Sequence, residues 1–279
     1  MHDDVTALVT GANRGLGRAT AEGLARDGAT VILACRDAER GEDAALEIRE
    51  ATGNTRVHAV PCDLEDPGSV DRCAESVLSR FPALHVVVAN AGLTLLEREI
   101  TGLDVERGWH AGYLGHFQLV SRLRERLVAS APARVVVLAG LYHRKGELRL
   151  DDLDWIERAW DWGQASADVQ LARVMFAKEL AVRLGSQGVT PVSVHPGAVR
   201  THAQDVLPPH LRLLVDTVMR VAFVSPERGA RTVLRLAEDE DLAPFAGAWF
   251  RRYHPAATHP AVDDPEARAA LWEASERLV

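Results

Sequence analysis

Eight residues near the start, Thr10-Gly11-Ala12-Asn13-Arg14-Gly15-Leu16-Gly17, constrain the fold more than any other stretch of the chain. They follow a short β-rich run, 5–9, and lead into a helical pattern beginning near Leu16. Three glycines between a strand and a helix mark a tight turn to which something else must come close. The same strand-then-helix rhythm continues along the chain, with β-rich runs at 5–9, 30–34, 57–61, 84–89, 134–138 and 189–195. Each is followed by a helix-length stretch. Such alternation predicts an α/β fold with a doubly wound parallel sheet.

One helix can be checked by counting. Val70, Cys73, Ala74, Val77, Leu78 and Phe81 fall at i, i+3, i+4, i+7, i+8 and i+11, one apolar face of an amphipathic helix. Ser69, after Pro67-Gly68, is its expected N-cap. Ser225-Pro226 reads as the cap and first position of another helix, and 265–278 as a terminal one. Between them the pattern loosens around Pro208-Pro209 and an apolar 211–223 run. The segment 199–224 reads either as a substrate flap over a pocket or as an ordinary surface helical pair. No linker or repeat divides the chain, so 1–279 is expected to be a single domain.

Composition narrows the function classes. The formal net charge of -8, with no basic run interleaved with aromatics, argues against nucleic-acid binding. No apolar run reaches the ~18 residues of a membrane span. Met1-His2-Asp3-Asp4 lacks the basic start of a signal peptide. Cys35, Cys62 and Cys73 have neither metal-ligand spacing nor an even number. A reduced, cytoplasmic protein with no metal site is the expectation.

The glycine turn has a chemical reading. Gly11 permits the tight turn, Gly15 lets backbone approach a pyrophosphate, and Gly17 allows close helix–sheet packing. The helix N-terminus then presents unpaired N–H groups to phosphate, with Asn13, Arg14 and Leu16 beside them. At the end of the second strand an acidic residue would accept from a ribose 2′-hydroxyl. Arg36 stands there instead and Arg14 adds a second cation, which favours NADP(H) over NAD(H). The bland alternative leaves one of these arginines merely solvated.

Taken together, the glycine turn, Asp63-Leu64, Asn90-Ala91-Gly92, Leu114-Gly115-His116-Phe117, His195-Pro196-Gly197 and Leu271-Trp272-Glu273 resemble the short-chain dehydrogenase/reductase family, in its retinol-dehydrogenase-like branch. The resemblance covers nearly the whole chain. It implies a single Rossmann-type domain with a mainly parallel seven-stranded sheet flanked by helices. It also implies an adenine-edge contact at Asp63 and Leu64, and a sheet-stabilising, cofactor-side role for Asn90 and Gly92. Pro196, Gly197 and Thr201 would lie at the nicotinamide end, and a homodimer built on the fourth and fifth helices is an open option.

The family's catalysis rests on an Asn-Ser-Tyr-Lys tetrad. By resemblance its stations are Gly112, Gly140, Ser166 and Gln170, so all four are replaced. The chain has three tyrosines, Tyr113, Tyr142 and Tyr253, and two lysines, Lys145 and Lys178; no lysine stands four residues after a tyrosine. Ser166 is too weakly acidic to act as the phenol does, Gln170 carries no charge, and Gly140 has no side chain to polarise a carbonyl. Small residues at these stations also open space for a bulky, hydrophobic small molecule.

Other groups are candidates for new chemistry. Tyr142 could be a relocated acid, and His143 could titrate near neutral pH; both could equally be surface-loop residues. Tyr113 and His110 suit packing better than the cleft. Trp155, Trp160 and Trp162 either wall an aromatic pocket or pack in the core. His195 reads as structural, and Asp168 lies on a different helix face from Ser166. Three functions follow in order. The first is a non-redox step (cyclisation, isomerisation or elimination) in small-molecule biosynthesis, with NADP(H) structural. The second is an NADPH-dependent oxidoreductase with a relocated acid. The third is a non-catalytic NADP(H)-binding pseudoenzyme.

Overall fold

The computed structural model describes residues 4–197 and 224–279. Among the described residues eight strands form one sheet: β1 Thr6–Thr10, β2 Thr30–Cys35, β3 Val57–Pro61, β4 Val86–Ala89, β5 Ala133–Leu138, β6 Val189–His195, β7 Trp249–Arg251 and β8 His254–Pro255. Their order is β3-β2-β1-β4-β5-β6-β7-β8, parallel throughout except for the β7–β8 pair. The six strands read from pattern are all present. The expected count of seven becomes eight because the chain folds back after β7 through Arg252, at φ 58°, into the two-residue β8.

The helices are α1 Gly15–Arg26, α2 Ala38–Thr52, α3 Pro67–Arg80, α4 Arg107–Trp109, α5 Gly115–Ala129, α6 Trp162–Leu184, α7 Pro226–Glu238 and α8 Pro265–Leu278. A π-helical stretch, His110–Leu114, joins α4 to α5. Alternate residues of each strand feed opposite layers. Val87 and Ala89 pack into one apolar cluster and Val86 and Val88 into the other, as do Val135 and Val137 against Val136 and Leu138. Period-2 burial on both faces is what a parallel sheet covered by helices requires.

Helix starts follow local chemistry. The counted apolar face of α3 is buried at Val70, Cys73, Ala74 and Val77. Its cap, however, is Asp66, which accepts from the Gly68 N–H at 2.9 Å with Pro67 opening the helix. Ser69 instead accepts the Asp63 N–H at 3.0 Å. Aspartate caps as well as serine, and proline at the first position fixes the earlier start. Ser225 and Pro226 do open α7, and α8 spans the expected residues. The expected flap, 199–224, lies outside the described residues except for Val224, and Thr201 lies outside them too.

Two relationships position the site. The chain leaves β1 for β2 on one side while β4 pairs on the other, so a crevice opens at their carboxyl ends. Asn90 locks that edge: its Nδ2 donates to Thr10 O at 2.8 Å and its N–H to Thr10 Oγ1 at 2.9 Å. Two bonds thus run from the end of β4 to the end of β1.

Candidate functional site

A cleft of about 710 Å³ runs along these strand ends, from Arg36 and Arg40 past the glycine turn to Gln170, His195 and Pro196. Gly11, at φ 62°, turns the chain at the top of β1 and donates its N–H to Ala34 O at 2.8 Å. At Gly17 any side chain is excluded. A Cβ there would lie 2.5 Å from Asn90 Nδ2 and closer still to Gly11 O. The N-cap of α1, Arg14, makes no side-chain capping bond. The positive end of the helix, with Gly15, Leu16 and Gly17, is therefore presented to the cleft, where an anion fits.

The outer end is rich in guanidinium. Arg14 and Arg36 line it as expected, and so does Arg40, which sequence reasoning missed. Its signal was Asp37-x-x-Arg40 at a helix start. Asp37, the residue after Arg36, caps α2 by accepting the Arg40 N–H at 3.1 Å and pairs with Arg40 Nε at 3.3 Å. Arg36 pairs with Glu65 at 3.2 Å, and Glu65 also binds Arg107. Asp63 Oδ1 accepts from Glu65 N–H at 3.1 Å, shaping the loop that brings Asp63 and Leu64 to the wall. Asn13, Asn90, Gly92, Pro196 and Gly197 line the cleft as well.

At the inner end Gly112, Gly140 and Gln170 come together in the lining. The Gly140 N–H donates to Gln170 Oε1 at 2.6 Å. Since a backbone N–H only donates, the oxygen must face it, and the Nε2 hydrogens are left for a ligand. Ser166 is not in this lining. It borders a small adjoining pocket of about 10 Å³ with Trp160 and Trp162, and Leu93, Thr94 and Val169 are common to both.

The remaining candidates fall elsewhere. Tyr142 is 60% exposed, and Lys145 lies over its ring at 5.9 Å. His143 is fully buried, against Trp249 at 4.5 Å between ring centroids, with Nδ1 bonded to Gly140 O at 2.8 Å. Burial holds its pKa below the usual value. Tyr113 is sealed in a cluster with Phe117 and Phe176, its hydroxyl 2.7 Å from Ser275 Oγ. His110 bonds Thr101 Oγ1 at 3.1 Å. Trp155 is buried under the Arg158 guanidinium, while Trp160 and Trp162 do wall the small pocket. Asp168 accepts from Glu147 N–H and Arg158. His195 reaches the cleft lining, its pKa lowered by burial and by Arg251 and Arg252.

Beneath the inner end lies a hydrogen-bond chain that fixes a tautomer. Thr10 Oγ1 accepts the Asn90 and Ala91 N–H groups and gives its own hydrogen to His116 Nε2 at 2.8 Å. His116 Nδ1–H then donates to Gly112 O at 3.1 Å. The same carbonyl accepts from Arg173 Nε at 2.5 Å. Burial and this guanidinium push the His116 pKa down to about 3, so the ring is neutral. Sequence reasoning missed Arg173; its signal was a lone cation in the apolar run Leu171-Ala172-Arg173-Val174-Met175-Phe176.

A parallel sheet with its crevice at the switch point, walled by a glycine turn and a helix N-terminus, defines a Rossmann-type dinucleotide-binding fold. The description "short chain dehydrogenase" belongs to the family whose model matches residues 5–147. The chain belongs to the short-chain dehydrogenase/reductase family, in its retinol-dehydrogenase-like branch. It is 40% identical over 279 residues to dehydrogenase/reductase SDR family member 13 of Bos taurus, covering 98% of this chain and 72% of that one. Retinol dehydrogenase 13 of Homo sapiens is 37% identical over 278 residues, covering 98% and 84%. A crystal structure of an uncharacterised protein from Mycobacterium paratuberculosis superposes with a TM-score of 0.77 at 30% identity, covering 98% and 92%. Among the described residues no helix is long and apolar enough to cross a membrane.

Proposed function

We propose that the protein binds NADP(H) and a bulky apolar small molecule and catalyses a step that needs no tyrosine–lysine proton transfer: a cyclisation, isomerisation or elimination. One observation carries this reading. None of the three tyrosines and neither lysine lines the cleft. Tyr113 is in the core, Tyr142 is exposed outside the lining, and Tyr253 sits at the β7–β8 turn under Arg235. Lys145 lies over Tyr142, and Lys178 pairs with Asp263 at 3.4 Å. The cofactor half of the reading rests on the free N-terminus of α1 and on Arg14, Arg36 and Arg40 around one end. NADP(H), when bound, supplies a hydride-transferring ring; here its bound role is to shape the pocket.

A second reading, an NADPH-dependent oxidoreductase, is favoured by the relatives' names, which are those of dehydrogenases. The two separate in one assay. Purified protein is incubated with polyene and polycyclic ketone or aldehyde candidates, with and without NADPH, and absorbance at 340 nm and product mass are followed together. Products isomeric with the substrate, or lacking water, with no NADPH consumed support the non-redox step. Turnover that tracks NADPH loss supports the reductase and overturns the first reading.

A further inference from the structure

Arg173 is 5% exposed and stands on α6 among buried apolar neighbours. Its guanidinium reaches three carbonyl oxygens on three separate elements: Gly112 from Nε, Leu138 from Nη1 at 2.9 Å, and Ala91 from Nη2. A guanidinium has five N–H groups. One on Nη1 and one on Nη2 therefore have no protein acceptor among the described residues. Among the described residues no carboxylate acts on it. Burial alone lowers its pKa, to about 10, which leaves it charged at neutral pH.

Carbonyl dipoles solvate a buried cation but do not neutralise it, and a buried charge without an anion is costly. Tying three segments together does not by itself require a full charge. Two glycines stand close against it. A Cβ on Gly92 would sit 3.2 Å from Nη2, and one on Gly112 would sit 3.7 Å from it and 2.7 Å from Val169 Cγ1. Arg173 lines the cleft with both glycines, with Gln170, and with apolar Leu93, Leu138 and Val169.

We propose that Arg173 makes the inner end of the cleft a binding site for an oxyanion, a carboxylate, phenolate or enolate oxygen carried on an apolar ligand. This deepens the proposed function and rests on its assignment of an apolar small molecule to that end. The two free N–H groups form charge-assisted bonds to the oxygen, and the apolar wall takes the carbon body. A ligand offering only a neutral hydroxyl leaves the cation uncompensated and binds more weakly.

The test uses the full chain and two probes of like shape, 1-naphthoate and neutral 1-naphthalenemethanol, titrated calorimetrically at pH 7. Naphthoate should bind about tenfold or more tightly than the alcohol. Arg173→Met should erase that preference, Arg173→Lys should keep part of it, and Arg36→Asp at the far end should leave it intact. Should Arg173→Met not fold, Gly92→Ala serves, because it crowds Nη2 while keeping the guanidinium; it should weaken naphthoate selectively. Equal affinity for the two probes overturns the Arg173 proposal alone. So does a preference that survives Arg173→Met or Gly92→Ala, or one lost in Arg36→Asp. Failure of both probes to bind overturns the apolar-ligand reading beneath it as well. No turnover is measured, so an outcome for or against the redox reading leaves this test unaffected.

Discussion

Gln170 Oε1 accepts a 2.6 Å hydrogen bond from the backbone N–H of Gly140, spanning the inner end of the cleft from α6 to the end of β5. By resemblance these are the lysine and serine stations of the tetrad. We propose that Gln170 is a strut where the family places a mobile ammonium; its partner is main chain, so no side chain is needed at 140. The two changes form one consistent arrangement.

Breaking that strut should cost stability more than it changes shape. Gln170→Leu leaves the Gly140 N–H without its acceptor and should lower unfolding free energy by about 1–2 kcal/mol. Gln170→Glu keeps an acceptor oxygen and should lose less. Urea denaturation of the three proteins checks the order.

Gly17→Ala should abolish dinucleotide binding. Its Cβ would meet Gly11 O and Asn90 Nδ2, and neither can move without opening the β1–β4 edge that Asn90 holds. Quenching of tryptophan fluorescence by NADPH measures the loss, with circular dichroism to confirm that the sheet persists.

Much of this was legible in the chain and some was not. The strands, the glycine turn and the capping of α7 follow from short-range patterns, which is why they read correctly. The site is assembled across distance. Nothing near Arg173 in sequence tells that Ala91, Gly112 and Leu138 turn their carbonyls toward it, since those contacts span 35 to 82 positions. Tyr142 and His143 looked alike as loop residues, yet one faces solvent and the other is packed against Trp249, 106 residues on. Asp66 displaced Ser69 as the α3 cap because two good capping residues stood three apart, and only the helix start decides between them.

Exchange of Arg36 to Asp should weaken NADPH binding by roughly tenfold or more, the effect of losing a charge-assisted bond and adding a repulsive carboxylate beside phosphate. NADH affinity should fall far less. The NADPH difference should shrink as salt rises, because Arg36 is largely exposed. Equal losses for both dinucleotides would contradict the assignment of Arg36 to a 2′-phosphate.

Stability should fall on mild acidification, and His116 should account for part of it. Its folded pKa, about 3, lies below the unfolded value of 6.5, so the unfolded chain binds the extra proton between them. The contribution is present in full above pH 6.5 and is lost progressively as pH falls toward 3. His58, His110 and His143, also shifted down mainly by burial, add in the same direction. Urea unfolding at pH 7 and pH 5.5 measures the slope, against which Glu238, its pKa raised to about 7 mainly by burial, acts in the opposite direction. His116→Gln should be less stable at pH 7 but visibly less sensitive to pH.

The proposed function requires a cleft that holds a phosphorylated dinucleotide with no phenol or ammonium beside it. Its most direct test is absorbance at 340 nm over several hours, with NADPH bound to excess protein and all-trans-retinal added. The wild-type chain should give a flat trace, and a slow measurable decline should appear once Ser166→Tyr and Gln170→Lys are introduced together. Prompt NADPH consumption by the wild-type chain would contradict it, whether or not Tyr142→Phe abolishes that consumption.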